Sequence, residues 1–388
     1  MKKILLIQPT INQSGGGAIA QQFIKVSLEK LKFDVHSISF CGTQLENKQH
    51  YTRDLISKYP KRFYKYSYIN EVCHFLNLTI KDVKPDIIIV GQIWSYFSIL
   101  LCLLKYRRIP KIHIIHTAEL ICLNSFLTKK KDKQQCEGKV GIKCIQNNCV
   151  SRKSSLFIMG LHYILLFSIK KTFDHFICHS EYMKTLLKRN NITNVTLIPL
   201  SIPENITIPA EKENSIVNFT KLLFVGSLEW HKGIEVLIYS LLILMERTTK
   251  FHLTIIGEGS LKKRLFQIIL KNSLTEFVTF EGAIERSELF DYYQQSDIIV
   301  FPSYFETFGL VALEAIIFNK KIVLSNRGAL PEVVFGYPNS VIINAINPLD
   351  LANGIFKSIN SIQITAKNIH ILNDDHLSTL KSVINNLI

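Results

Sequence analysis

At 388 residues, with 47% hydrophobic and 20% charged residues, the chain reads as a globular protein too long for one hydrophobic core, so two domains are expected. The net charge of +15 is uneven: residues 1–210 carry 30 Lys and Arg against 13 Asp and Glu, a net of +17, and the rest carry 16 against 18, a net of −2. A basic first half calls for an anionic partner: nucleic acid, an anionic membrane face or a phosphorylated substrate. With no RRM, KH, zinc-finger or helix-turn-helix signature, nucleic acid is disfavoured.

The opening "MKKILLIQPT" has an apolar core of only "ILLI" before Gln8 and Pro9, too short for a signal peptide. It reads as a buried first strand of a cytosolic protein, and no apolar run reaches the roughly 18 residues of a membrane span. Further buried strands are expected at "VHSISF", "DIIIVG", "KIHIIH", "HFICHS" and "VTLIP", with helix-length segments such as "AIAQQFIKVSLEKL" and "SEYMKTLLKR" between them. After the polar stretch "ENITIPAEKENSIVNFT" the pattern restarts with "KLLFVGS", "FHLTIIG", "FVTFEG", "DIIVFPS", "KIVLSN" and "SVIIN". Strand–helix alternation of this kind predicts α/β architecture with two doubly wound, Rossmann-like domains, at 1–205 and 215–370. A helical tail at 371–388 has no packing site legible in the sequence.

Doubly wound sheets bind ligands just beyond the carboxyl ends of their strands. There, "QSGGGAIA" places Gly15, Gly17 and Ala20 in a G-x-G-x-x-A pattern. Strand two ends "SISFCGT" without the acid that a dinucleotide's ribose needs, which argues against a nicotinamide-dependent oxidoreductase. The glycines admit a phosphate or sugar, or simply make a tight turn. In "FVGSLEWHKGIEVLI" Lys232 and Gly233 are expected to open a helix, where a lysine opposes the helix dipole unless an anion binds. A solvated lysine is the alternative. "IIGEGSL" gives Gly257 and Gly259, a turn on which a flat ligand could lie.

The strongest signal is "PSYFETFGLVALEAIIF". Glu314 lies inside a run otherwise apolar from Leu310 to Phe318, where a carboxylate is costly unless paired. Phe308, Gly309 and Leu310 should present free amides at a helix start, with Glu306 before them. A carboxylate accepts hydrogen bonds in pairs and suits vicinal hydroxyls, so two glutamates flanking a phosphate site describe a nucleotide-sugar pocket. The alternative for Glu314 is an internal ion pair with a buried Lys or Arg.

"YFETFGLVALEA" resembles the E-x7-E motif of the retaining GT-B glycosyltransferases of group one, or family four, and "LLFVGSLEWHKGIEVLI", "LTIIGEG", "VTFEG" and "DIIVFPS" follow that family in the same order. The resemblance implies two domains facing each other across a cleft. Its basic first domain would take a glycan or lipid-linked acceptor in envelope polysaccharide or glycolipid assembly. Glu314 would hold the ribose, Glu306 the donor sugar, and Lys232 with the amides of Phe308, Gly309 and Leu310 the diphosphate, with no divalent metal required. Gly16 and Gly17 match the family's N-terminal glycine loop. His116 aligns with its active-site histidine and Cys122 with a subgroup cysteine, a core histidine being the alternative for His116. Ser227 stands where many members carry arginine, Thr117 where the subgroup has aspartate, and Asn319 where a glycine follows the helix. A non-catalytic sugar-nucleotide binder is the other reading.

Two features stand apart. "RKSSLFIMGLHYILLFSIKKTF" holds a 14-residue apolar run, Leu156 to Ile169, between basic ends. It is long enough to graze a membrane as a peripheral anchor, or else is a buried helix. Cys122, Cys136, Cys144 and Cys149 lie in a segment with little hydrophobic content of its own. A structural zinc, a disulfide or four free thiols are the possibilities.

Overall fold

The computed structural model describes residues 1–8, 16–40, 49–52, 66–91, 96–150, 155–200, 219–365 and 375–388. It divides into two compact units: Met1–Asp132 with Cys136–Ser201 and Leu372–Ile388, and Lys133–Gln135 with Ile202–Ile371. The polar stretch expected to join the domains lies outside the described residues, as do Gly15 and Cys41.

The first unit is built on strands β1 (Lys3–Gln8), β2 (Asp34–Ser39), β3 (His50–Thr52), β4 (Ile87–Val90), β5 (Lys111–Ile114), β6 (His175–Cys178) and β7 (Val195–Leu197). They form one parallel sheet in the order β3-β2-β1-β4-β5-β6-β7. Helices cover both faces, so central strands such as the "IIIV" of β4 are buried at every position. The three-residue β3 has too little apolar sequence to be read as a strand, and it pairs only at the sheet edge. The tail has a definite place: in helix Asp375–Asn385, Leu380 and Ile384 are fully buried in the core that holds Ile4, Leu6, Ile24 and Leu28.

The second unit is built on β8 (Thr220–Val225), β9 (Phe251–Ile256), β10 (Val278–Gly282), β11 (Ile298–Phe301), β12 (Lys321–Ser325) and β13 (Ser340–Ile343). These are also parallel, in the order β10-β9-β8-β11-β12-β13. Two cores, one on each face, enclose this sheet. Strand order reverses between β8 and β11: β9 and β10 build outward on one side, β12 and β13 on the other. The loops leaving β8 and β11 therefore diverge from a common crevice, the place where doubly wound sheets take ligands.

Candidate active site

Lys232 and Glu306 come from those two loops. After β8 the chain makes a single 3-10 turn, Trp230–Lys232, and then Gly233 at a φ of 70° before helix Ile234–Met245. Lys232 thus ends a turn rather than opening the helix. A Cβ on Gly233 would stand 2.0 Å from the Pro302 carbonyl oxygen, and the Tyr304 amide donates to the His231 carbonyl at 2.8 Å. The two loops are locked together by backbone. Lys232 Nζ donates to Glu306 Oε1 at 2.6 Å, with both side chains half-buried, so the lysine is paired rather than simply solvated. Ser303 Oγ donates to the same oxygen at 3.1 Å, and Ser325 Oγ fixes the Ser303 carbonyl at 2.5 Å. Beneath, Gly328 has a φ of 60° and no room for a Cβ, which would meet the Glu306 carbonyl oxygen at 2.1 Å. Glu306 is clamped from three loops.

Beyond Glu306, Gly309 adopts a φ of 98° and caps helix Leu310–Ile317. The amides of Leu310 and Val311 have no intrahelical acceptor, and the positive end of the helix faces the loop that carries Glu306. Helix start, ammonium and Glu306 are thereby gathered at the carboxyl edge of the sheet.

Glu314 sits in the second turn of that helix with its side chain only 3% exposed. Arg286 Nη2 donates to its Oε1 at 2.7 Å and Tyr293 Oη to its Oε2 at 2.8 Å. The internal ion pair is therefore real, and its partner is Arg286. Burial pushes the Glu314 carboxyl above its ordinary value, while Arg286 and Tyr293 pull it back. Burial, followed by the neighbouring Glu314, drives the Tyr293 phenol well above its own. Each carboxylate oxygen accepts more than one hydrogen bond, so Glu314 keeps acceptor capacity beyond these two bonds.

The sequence reading missed Arg286 and Tyr293. Both lie on helix Arg286–Gln295, seven residues and about two turns apart, so they share a face. Two polar side chains at that spacing on the inward face were the available signal. Arg286 Nη1 is buried without a hydrogen-bond partner.

Gly257 and Gly259 each face a neighbouring backbone at close range. A Cβ would meet the Gly226 carbonyl oxygen at 1.9 Å in one case and the Leu228 carbonyl oxygen at 2.5 Å in the other. Their smallness lets neighbouring loops pack. Ser227 is exposed in the β8 loop.

In the first unit, Gly16 and Gly17 open helix Gly16–Lys30. His116 lies two residues past β5, buried, its ring stacked on His179 at 5.2 Å between centroids. His179 follows β6 and was read only as strand sequence; its Nδ1 lies 2.8 Å from the Ile198 carbonyl oxygen. Burial, then His179 and His113, hold His116 well below the usual histidine value. Burial likewise takes His113 and His179 down to about 4 each. The same burial favours the neutral imidazole at His116.

The cysteine segment carries ordering contacts of its own. Cys122, Cys136, Cys144 and Cys149 are free thiols, and among the described residues no group of three or more His, Cys, Asp or Glu is arranged to hold a metal. The segment has an apolar core after all, in buried Leu120, Ile121, Leu127 and Val140. Backbone and amide hydrogen bonds complete it: Cys136 N to the Leu127 carbonyl at 2.6 Å, Asn124 Nδ2 to the Thr128 carbonyl at 2.5 Å, and Cys122 Sγ to Asn124 Oδ1 at 2.9 Å.

Two Rossmann-like domains, with an ammonium, a helix start and Glu306 at the switch point of the second, have the architecture of a GT-B glycosyltransferase. Comparison with known proteins agrees. The glycosyl transferases group 1 model matches residues 207–368 and the glycosyltransferase family 4 model residues 15–205, and the chain belongs to the group 1 glycosyltransferases. An uncharacterized glycosyltransferase of Methanocaldococcus jannaschii is 34% identical over 134 residues, covering 34% of each chain. The first curated relatives are matched over 34% to 51% of their own length. Among solved structures, sucrose-phosphate synthase from Thermosynechococcus elongatus aligns with a TM-score of 0.70 at 17% identity, over 92% of this chain and 90% of that one. Anabaena Alr3699/HepE in complex with UDP-glucose aligns with a TM-score of 0.64 at 16% identity, over 93% and 90%.

Proposed function

We propose that the protein moves a sugar from a nucleoside diphosphate to an acceptor hydroxyl with retention of anomeric configuration. The observation that carries this reading is the Lys232–Glu306 pair beside the start of helix Leu310–Ile317, at the switch point of the second unit. The diphosphate is held by Lys232 and the amides at Phe308, Gly309 and Leu310. Glu306 accepts from donor-sugar hydroxyls, and Glu314, held in place by Arg286 and Tyr293, accepts from the ribose. In the reaction the bond between the anomeric carbon and the diphosphate oxygen breaks. The acceptor oxygen bonds to the same face, and its proton passes to the departing diphosphate. Negative charge grows on that leaving group, so an ammonium and a helix start aimed at it stabilise the transition state more than the ground state. His116 hydrogen-bonds the donor sugar as a neutral imidazole. Lys232 and the helix amides supply the charge neutralisation that a divalent metal would otherwise provide.

The acceptor is a glycan or lipid-linked saccharide of envelope polysaccharide or glycolipid assembly, met at the cytoplasmic face by the basic first unit. The +17 charge of residues 1–210 supports this. Uridine is the first base to test, because a neighbour of the same fold was solved with UDP-glucose. A non-catalytic binder is the second reading, since Ser227 supplies no guanidinium to the diphosphate.

The test is a thermal-shift panel of UDP, GDP, ADP and CMP with their sugars, and of NAD, followed by turnover of the stabilising donor. One nucleoside diphosphate should raise Tm, and its sugar nucleotide should be consumed. Stabilisation by NAD and by none of the nucleotides overturns the proposal, and tight binding without turnover under all acceptors leaves the binder.

A further inference from the structure

We propose that the outward face of helix Ser155–Thr172 is a docking surface for an anionic lipid bilayer, on which the helix lies in the plane of the interface. Leu156, Phe157, Ile164 and Phe167 are 79%, 76%, 65% and 62% exposed, and Leu161 and Tyr163 are exposed too. At 100° per residue these positions span about 160° of the helix circumference. Leu166, Ile169 and Thr172, on the opposite side, are buried. The apolar run foreseen as either a buried helix or a membrane contact is thus divided lengthwise. One face joins the core, and the other is a continuous strip of large apolar side chains in water. Monomeric proteins rarely leave such a strip uncovered.

The strip has a neighbour. Tyr163 Oη donates to the Val140 carbonyl at 2.6 Å, which brings exposed Ile142 beside the helix with exposed Lys139 and Lys143 on either side of it. At the helix end Lys171 is exposed, its ammonium 5.5 Å from the Phe167 ring centroid, whereas Lys170 turns inward to the Asn190 carbonyl. Residues 155–172 contain no Asp or Glu.

An apolar strip with cations at its rim complements anionic headgroups above an acyl layer, the arrangement of helices that lie on membranes. An interface with another protein copy would meet the same cations on the facing surface and repel them. No helix of the described residues is long and apolar enough to cross a membrane, so the contact is lateral.

The test uses the full chain and sedimentation with vesicles of phosphatidylcholine alone or mixed with phosphatidylglycerol. The protein should bind the mixed vesicles, and high salt should weaken binding without abolishing it, because both charge and apolar burial contribute. The double variant Ile164→Glu, Phe167→Glu should lower vesicle partitioning by about tenfold or more. Its Tm and its Tm shift with UDP should match wild type, since both positions are exposed. Lys143→Glu with Lys171→Glu should remove the preference for anionic vesicles. Failure of the wild type to bind any vesicle, or undiminished binding of the Ile164→Glu, Phe167→Glu variant, overturns the proposal. So does sedimentation velocity showing a dimer that this variant dissociates, which would make a second copy the occupant. Vesicle and nucleotide binding are read separately, so either proposal can fail alone.

Discussion

Arg286 Nη2 lies 2.7 Å from Glu314 Oε1, joining the first residue of one helix to the one acid in an otherwise apolar helix 28 residues later. The pair explains how a carboxylate is tolerated there, and it ties Glu314's ionisation to Arg286. Burial raises the Glu314 carboxyl in the folded state, so its stabilising contribution is complete below the unfolded value and falls as pH rises through the folded one. Removing Arg286 raises the folded value further. Arg286→Met should therefore cost more at pH 8, where Glu314 is stripped of its cation, than at pH 5. At pH 8 the loss should stay below the about 3–5 kcal/mol of breaking a fully buried pair, because the guanidinium is partly exposed. Equal losses in urea unfolding at the two pH values would show that the pair does not govern Glu314.

Glu314→Gln keeps the shape and removes the charge. A charge-assisted hydrogen bond contributes about 1.5–3 kcal/mol, so binding of the donor nucleotide should weaken roughly ten- to a hundredfold. Calorimetric titration with UDP measures it, and an unchanged Kd moves the ribose elsewhere.

Lys232→Ala should lower kcat by about 100-fold or more while changing donor KM less, since the ammonium faces charge that grows in the transition state. Steady-state kinetics separate the two parameters. A rise in KM alone would make Lys232 a ground-state binding group.

Gly233→Ala tests the lock between the two loops. Its φ of 70° costs a side chain about 1–2 kcal/mol, and the added Cβ would also stand 2.0 Å from the Pro302 carbonyl oxygen. Gly336, with a φ of 75° and nothing within 4 Å of an added Cβ, is the matched control. The Gly233 variant should lose more stability than Gly336→Ala, and should lose activity with it, because displacing the turn parts Lys232 from Glu306.

Two buried histidines, His113 and His179, and the half-buried His231 predict an acid limb. Burial lowers His113, His179 and His231 to about 4, with Lys232 adding to the effect at His231. Their unfolded values stand near 6.5, so below that pH the unfolded chain binds more protons. The stability they contribute is complete above about 6.5 and is lost as pH falls through about 4. Urea unfolding at pH 7, 6 and 5 should show the decline, and His179→Gln should flatten it.

Most of the fold was legible because both sheets are parallel and covered on each face. Strands such as "DIIIVG" and "DIIVFPS" must then be continuously apolar, which marks them without any partner in view. What was missed was short or peripheral: β3 has three residues and no apolar pattern, and the tail's place depends on Leu380 and Ile384 meeting strands more than 370 residues earlier.

The sequence by itself determined the two-domain α/β architecture, the positions of Lys232 and Glu306 in the loops after their strands, and the anomaly of Glu314 as an acid in an apolar helix. Periodicity and composition are local properties, and those features are local. The partners were decided by tertiary structure: Arg286 and Tyr293 for Glu314, Ser303 and Gly328 around Glu306, His179 against His116. So was which side of helix Ser155–Thr172 meets the core, since an apolar residue's composition does not say whether it faces protein or water. A charged or apolar side chain announces that it needs a neighbour, but only the closing of a parallel sheet, which joins strands far apart in the chain, determines which neighbour it finds.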